Sequence, residues 1–317
     1  MKRTFLGKEL FPFAFGGAAI SGEGGGYGFG HISEQDSISL LEYAFERGVR
    51  VFDSAPIYGF GSSEERMGKA LKSVRDQVTL ISKSGVDWHD TKRVNMTNDP
   101  KSTDKMLRQS LKSFNTEYID LYMIHWPDEK VDIRRPLEVL EKYKEKGIIR
   151  HIGLCNTNLG ELEKAKEVTK IEVVQSEYNL FNRAVENEIF DYLDESNIDF
   201  MSWGTLDKGV LTGKYKVDRV FDDVDCRKKA PWWKKTDVEK KVQLVEETKE
   251  LLPDGIRYID LAVSFNLHAK RMKSILSGPK TKERLDEILE CVQKAEENYQ
   301  RFEHWEKVTT TLQKFYE

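Results

Sequence analysis

Four side chains that can hold or pass a proton stand at the ends of three short apolar runs. The first run closes as VFDSAPIYG, leaving Asp53 at its end and Tyr58 five residues on, in a loop punctuated by Pro56 and Gly59. The next closes as ISKSG and leaves Lys83 in the equivalent place; the one after, LYMIHWPD, leaves His125 there. Taken singly, each has a plain reading: Asp53 as a loop cap, Lys83 as a solvated charge, His125 as a structural histidine, Tyr58 as an amphipathic rim residue. Together they put an acid, a phenol, an amine and an imidazole at the same end of consecutive strands. In a barrel such ends share one rim and converge.

That set suits proton donation to a carbonyl oxygen. A free tyrosine has a pKa of about 10 and is a weak acid at neutral pH. A nearby ammonium favours phenolate and lowers that pKa, and a carboxylate beside the ammonium keeps it charged and in place. An imidazole can hydrogen-bond the substrate oxygen and hold it toward the donor. No side chain supplies hydride, so a cofactor must. Other chemistries lack their signatures. His31, His89, His125, His151, His268 and His304 form no HxH or HExxH, so no metal site and no metal-dependent barrel hydrolase is expected. There is no GxSxG, GxxxxGK[ST] or GxGxxG, and the glycine-rich stretch 22–30, GEGGGYGFG, does not fit the dinucleotide spacing.

The elements that must position these residues alternate along the chain. Strand-like runs fall at Phe13–Phe15, Arg50–Phe52, Val78–Ser82, Ile119–Ile124, Ile152–Leu154, Val173–Gln175, Phe200–Trp203 and Ser274–Leu276. Several are apolar without polar alternation, as strands buried on both faces are. Helical patterns lie between them: Ser33–Arg47 with a Ser33/Asp36 cap and a stop at Gly48, Ser102–Phe114, Pro136–Lys146, Leu159–Val168, Val185–Glu195 and Lys282–Lys294. Strand-then-helix repetition means parallel pairing with helical crossovers. Eight units favour an α/β fold of the (β/α)8 TIM-barrel type over an open sheet, with 1–12 as an N-terminal hairpin and about 294–317 as a helical tail of one 1–317 domain. The stretches 22–30 and 206–240 follow strand ends and are candidate lids, or plain surface loops.

Composition narrows the class. The 317 residues carry 50 Lys plus Arg and 54 Asp plus Glu, a net charge of −4, which gives no reason to expect a nucleic-acid partner. Hydrophobic residues at 39% and charged residues at 33% are too apolar for disorder and too polar for a membrane protein. No apolar run approaches the length of a membrane span, and MKRTFLGKELFPF lacks the apolar core of a secretory signal. Cys155, Cys226 and Cys291 are far apart and form no CxxC, so no disulfide framework is expected and a reducing cytoplasm is.

The sequence resembles the aldo-keto reductases, closest to their bacterial and potassium-channel-β-like branch. DSAPIYG resembles D-x-A-x-x-Y-G, and SLKSFNTEYIDLYMIHWPD (110–128) resembles S-L-x-x-L-x-T-x-Y-I-D-L-Y-x-I-H-x-P-D. IGLCN (152–156), VVQSEYNL (173–180) and GVLTGKY (209–215) resemble I-G-x-S-N, Q-x-E-Y-x-L and G-x-L-T-G-K-Y. The resemblance runs from about residue 3 to about residue 290. It implies a barrel that binds NADP(H) across its C-terminal rim and interconverts a small carbonyl and an alcohol. Tyr58 would be the general acid, Lys83 and Asp53 would tune it, and His125 would orient the carbonyl. Gly16, Gly17 and Ala18 would approach the cofactor, Asn156 and Gln175 would hold the nicotinamide carboxamide, and Trp203 would stack on its ring. Gly204, Leu206, Lys208, Gly209 and Val210 would line the pyrophosphate. Gly278, Lys280 and Arg284, in GPKTKER, would grip the adenosine 2′-phosphate.

The pattern is broken in places. Cys155 replaces a serine, WGTLDKG (203–209) replaces Y-x-P-L-x-x-G, Ser277 and Pro279 bracket Gly278 in a variant of P-G-A, and Ile288 replaces an adenine-contacting asparagine. A spacing of four puts Lys280 and Arg284 on one helical face, favouring NADPH over NADH, with Glu283 and Glu287 turned away. Otherwise Glu287 is the candidate ligand for a free ribose hydroxyl. Tyr27, Trp88 and Trp126 would line the substrate mouth, with Trp232 or Trp233 on a lid; such walls suit an aldehyde, a ketone or the apolar face of a sugar. The other functional class is a regulatory or binding subunit that keeps a nicotinamide site with little turnover.

Overall fold

A computed structural model describes residues 1–22 and 26–317, so Glu23–Gly25 of the glycine-rich stretch lie outside the described residues. Eight strands form a closed parallel barrel: β1 Phe13–Gly16, β2 Val51–Asp53, β3 Thr79–Ser84, β4 Ile119–Ile124, β5 Ile149–Cys155, β6 Val173–Glu177, β7 Asp199–Trp203 and β8 Met272–Ser277. Each expected strand run falls on one of them. The absence of polar alternation has its cause in the two faces. Ala14, Val51, Ile81, Leu121, Met123, Cys155 and Met201 fill the barrel interior. Phe13, Phe15, Phe52, Leu80, Tyr122, Leu154 and Phe200 pack outward against the helices.

Those helices are α1 Glu34–Glu46, α2 Ser62–Leu71, α3 Pro100–Phe114, α4 Arg134–Glu145, α5 Leu159–Ala165, α6 Phe190–Glu195, α7 Tyr258–Leu267 and α8 Lys282–Arg301. Local chemistry sets their ends. Ser33 accepts the Asp36 N–H to start α1, and Asp99 accepts the Ser102 N–H ahead of Pro100 to start α3. Asn158 and Glu161 close a reciprocal capping box on α5. The expected N-terminal hairpin is present, with Arg3–Phe5 paired to Lys8–Leu10. Its Phe5 plugs the barrel interior, and the Arg3 guanidinium donates to the Met272 and Leu267 carbonyls at 2.5 Å each.

Four features depart from expectation. Val185–Glu195 splits into Val185–Glu188 and α6 at Ile189, whose backbone leaves the helical region. The tail is not one helix: α8 runs on to Arg301, the chain extends at Phe302, and a separate helix covers Trp305–Gln313. The turn buries Phe302 with Val308, Leu312, Leu244 and Phe181 in a second apolar cluster beside the barrel. The 206–240 insertion ends inside a helix, Val238–Lys249, that feeds the same cluster. A second hairpin, Val86–Trp88 with Val94–Met96, follows β3.

The two candidate lids meet each other. Phe29 forms an antiparallel bridge with Asp225, the Gly30 N–H donates to the Val224 carbonyl at 3.2 Å, and the Cys226 N–H donates to the Gly28 carbonyl at 2.8 Å.

Candidate active site

The four proton-handling residues come together at the C-terminal rim. Asp53 ends β2, Lys83 lies one residue before the end of β3, and His125 follows β4. The Lys83 ammonium donates to Asp53 Oδ1 at 2.6 Å and to the Ser54 carbonyl at 2.9 Å, with both charged side chains fully buried. Gln175 Nε2 donates to the other carboxylate oxygen at 2.9 Å. Tyr58 Oη lies 3.3 Å from His125 Nε2, their rings meeting edge to face at 5.7 Å, and the Lys83 ammonium sits 5.4 Å from the centre of the Tyr58 ring.

Burial sets the protonation states. It pushes the Tyr58 phenol up to about 12; Lys83 pulls the other way and Asp53 adds to the rise. This corrects the expectation that Lys83 lowers the phenol below its ordinary value. With Asp53 against the ammonium, the pair has too little net positive field to offset the lost hydration. Burial is the largest influence on Lys83 and opposes its charge, but Asp53, Tyr58 and Cys155 together outweigh it and hold the ammonium above its usual range. Burial, then Lys83, drives His125 well below its ordinary value. At neutral pH the site therefore holds a phenol, an ammonium and a neutral imidazole.

The residues expected at the cofactor divide into two groups. Gly16 and Gly278 bring two rim backbones together: a Cβ on Gly16 would lie 3.3 Å from the Gly278 nitrogen, and one on Gly278 would lie 2.9 Å from the Gly16 carbonyl oxygen. Gly17 packs so closely on β2 that a Cβ would lie 2.8 Å from the Asp53 carbonyl oxygen. Ala18 follows in the same short turn. Asn156, in a left-handed conformation, donates to the His125 carbonyl at 2.9 Å and accepts from Trp203 Nε1 at 3.0 Å, so Asn156, Trp203 and His125 form one connected rim.

Other residues expected at the cofactor make contacts within the protein. The Gln175 amide N–H points to Asp53, and its oxygen accepts from Cys155 Sγ at 3.7 Å, so Gln175 serves the buried carboxylate. The Lys208 ammonium pairs with Glu177, a residue the sequence reading passed over, and lies over the rings of Trp203 and Trp232 at 5.5 and 5.9 Å. Val210 is buried in the second cluster, and the half-buried Leu206 packs against both cores. Gly204 and Gly209 both hold positive φ, at 71° and 106°, in the turn around them.

Lys280 and Arg284 do not share a helical face, because α8 begins at Lys282 with Thr281 as its cap. Lys280 donates to the Phe29 carbonyl at 3.1 Å. Arg284 pairs with Glu287 at 2.5 Å, and Glu287 also meets Lys214 and Arg257. Glu287 is thus turned toward Arg284. Ile288 is buried in the main core.

Of the aromatic residues expected at the mouth, Trp126 is exposed and packs within 6.4 Å of both His125 and Trp203. Trp88 packs edge-on against Phe60 at 5.7 Å. Tyr27 is exposed, with φ 62°. Trp232 is the lid tryptophan that reaches the rim through Lys208; Trp233 is buried in the second cluster.

The sequence model of the aldo/keto reductase family matches residues 12–308. An aldo-keto reductase of Bacillus subtilis, YhdN, is 33% identical over 84% of this chain and 81% of its own length. The NADH-specific methylglyoxal reductase of Escherichia coli is 28% identical over 90% of this chain and 92% of its own. The structure of the glycerol dehydrogenase AKR11B4 from Gluconobacter oxydans superposes with a TM-score of 0.78 at 26% identity, covering 99% of this chain and 94% of that one. With the barrel, the rim and these matches in agreement, the chain belongs to the aldo/keto reductase family.

Proposed function

We propose that the protein interconverts an aldehyde or ketone and an alcohol with NADPH as hydride donor, using Tyr58 as the proton donor. The observation that carries this reading is the buried Asp53–Lys83 pair behind a protonated Tyr58 in contact with a neutral His125. The rim suits a dinucleotide: Gly16 and Gly278 hold two rim backbones in close approach, Trp203 offers an indole face, and Lys280 supplies a cation. When bound, the nicotinamide supplies the hydride to the carbonyl carbon. Tyr58 Oη holds the proton that the developing alkoxide takes. His125 Nε2, beside that oxygen, positions the carbonyl. Lys83 keeps a positive charge near the phenol, which stabilises the phenolate left behind; in alcohol oxidation the same phenolate accepts the proton. Trp88, Trp126 and Trp232 suit an aldehyde, a ketone or the apolar face of a sugar. Three free, buried cysteines support a reducing, cytoplasmic setting.

The test is NADPH consumption with a generic aromatic aldehyde such as a nitrobenzaldehyde. Turnover supports the reading; tight NADPH binding with none overturns it in favour of a binding subunit. His125→Ala is expected to lower kcat/KM by on the order of 10², as loss of one oxygen-orienting group does, with NADPH quenching of tryptophan fluorescence unchanged. Loss of quenching would assign His125 to the scaffold.

We assign the 2′-phosphate to Lys280, with Arg284 secondary because it must first leave Glu287. A charge-assisted phosphate contact is worth about 1.5–3 kcal/mol. Lys280→Ala is therefore expected to weaken NADPH on the order of tenfold to a hundredfold and NADH little, in paired titrations. Equal wild-type affinities, or tighter NADH, would remove the assignment.

A further inference from the structure

Behind the barrel wall, α2 carries two adjacent residues that reach back to the strands of the site. Ser63 N–H donates to the Tyr58 carbonyl at 3.2 Å. Ser63 Oγ accepts from Ser54 Oγ at 2.8 Å and donates to the Gly17 carbonyl at 2.9 Å. Next to it, the fully buried Glu64 accepts from Ser82 Oγ at 2.6 Å through Oε1, and Ser82 contacts Ser110 Oγ of α3 at 3.0 Å. Ser54 follows Asp53 in the chain and Ser82 precedes Lys83. The first turn of α2 is thereby tied to the immediate neighbours of three of the four proton-handling residues.

Glu64 is the unusual member. It is a carboxyl on the outer face of a barrel wall, with no cation paired to it among the described residues. Among the described residues its Oε2 has no hydrogen-bond partner, and neither do Tyr122 Oη and Ser84 Oγ, both buried on the outer faces of β4 and β3. A buried carboxylate with one empty oxygen is costly, whereas a carboxylic acid there has an O–H to donate and hydroxyl oxygens nearby to accept it.

We propose that Glu64 is a positioning residue for the proton donor: in its protonated form it locks the Tyr58 loop and α2 against the Lys83 strand, and on ionising it loosens that lock. The inference rests on the reading of Tyr58 as proton donor. Burial pushes the Glu64 carboxyl up to about 7, against the Ser82 and Ser110 hydroxyls and the Lys83 charge; Glu65 on its own helix adds to the rise. Tyr122 is the titratable group facing it from β4 and stays a phenol, and α3 presents the Ser110 hydroxyl. The group thus changes charge between pH 6 and 8, where Tyr58 and His125 do not. A raised carboxyl pKa favours the fold at low pH and stops doing so as pH rises through about 7, so the lock is firm below that point and weak above it.

The experiment measures kcat and the NADPH KM for aldehyde reduction from pH 5.5 to 8.5 in wild type, Glu64→Gln, Glu64→Ala and Tyr58→Phe, with near-ultraviolet circular dichroism to check folding. Misplacement of reacting groups by an ångström costs up to about 10²-fold in rate. The expected result has three parts. Wild-type kcat falls several-fold above about pH 7, the Glu64→Gln profile is flat there, and Glu64→Ala loses roughly 10- to 100-fold in kcat with its NADPH KM within about twofold of wild type. Glu64→Gln then rescues most of that loss. If Glu64→Ala does not fold, the flat Glu64→Gln profile decides alone. A Glu64→Gln profile that keeps the wild-type inflection, or a folded Glu64→Ala with wild-type kcat, overturns the proposal while Tyr58→Phe stays impaired. A wild type with no turnover, or Tyr58→Phe at wild-type rate, overturns the functional reading and this role with it.

Discussion

Tyr58→Phe is expected to lower kcat for carbonyl reduction by about 10²–10⁴, the span that general acid catalysis supplies, and to leave NADPH affinity near wild type. The substitution removes one oxygen. It deletes the hydroxyl facing His125 Nε2 but keeps the ring that meets His125 edge to face and lies near the Lys83 ammonium. The loop carrying it is held by backbone bonds from Tyr58 and Ser63, which the phenylalanine side chain does not touch. A loss confined to kcat is the signature of an interaction made in the transition state. Single-turnover rates measured alongside NADPH fluorescence titrations check this, and a variant keeping more than half of wild-type kcat would remove Tyr58 from the role.

Lys83→Met acts on two quantities at once. The thioether fills the stem of the lysine but leaves the Asp53 carboxylate buried, with Gln175 as its remaining side-chain donor. Breaking a buried pair by removing one partner costs about 3–5 kcal/mol, which is expected as loss of stability to urea at pH 8. The deficit narrows at low pH. Burial without a counter-charge disfavours the charged form of a carboxyl, so a fold that holds one gains stability as pH falls. The catalytic effect has the same origin. Lys83 lowers the Tyr58 phenol and Asp53 raises it, so losing Lys83 moves the phenol further up. Alcohol oxidation, which needs phenolate, then falls more than carbonyl reduction at any given pH, and its rising limb shifts to higher pH. Equal losses in both directions with an unmoved limb would show that Lys83 serves the fold alone.

The barrel was legible because its strands are short, apolar on both faces and separated by capped helices; Ile119–Ile124 was placed to the residue. The proton-handling four were legible for a related reason: parallel strands put their C-terminal ends on one rim, so position within a run predicts convergence in space. What spacing could not give was the destination of side chains with two outlets. Gln175 turns to Asp53, Val210 turns to the second core, and Lys208 is captured by Glu177 from a neighbouring strand. The Lys280–Arg284 pairing failed although the helix starts at Lys282 as its pattern indicates, because Thr281 caps α8 and leaves Lys280 outside it. The phenol's direction of shift also required the structure, because it depends on burial, which a motif does not record.

The seam that closes the barrel joins its first strand to its last: Phe13 lies opposite Ile275 and Phe15 opposite Ser277, and Arg3 clasps the carbonyls of Leu267 and Met272 just beneath. Synthesis therefore delivers seven strands before the eighth that completes the ring. Until Met272–Ser277 emerges, β1 and β7 each present an unpaired edge, the kind of template on which chains join one another. Closure over so long a stretch adds little entropy cost beyond that of a shorter one, so the hazard lies in waiting time. A nascent chain paused just short of Met272 carries almost the whole interior and none of the protection, and it is at that length that the cell's holding factors have most to do.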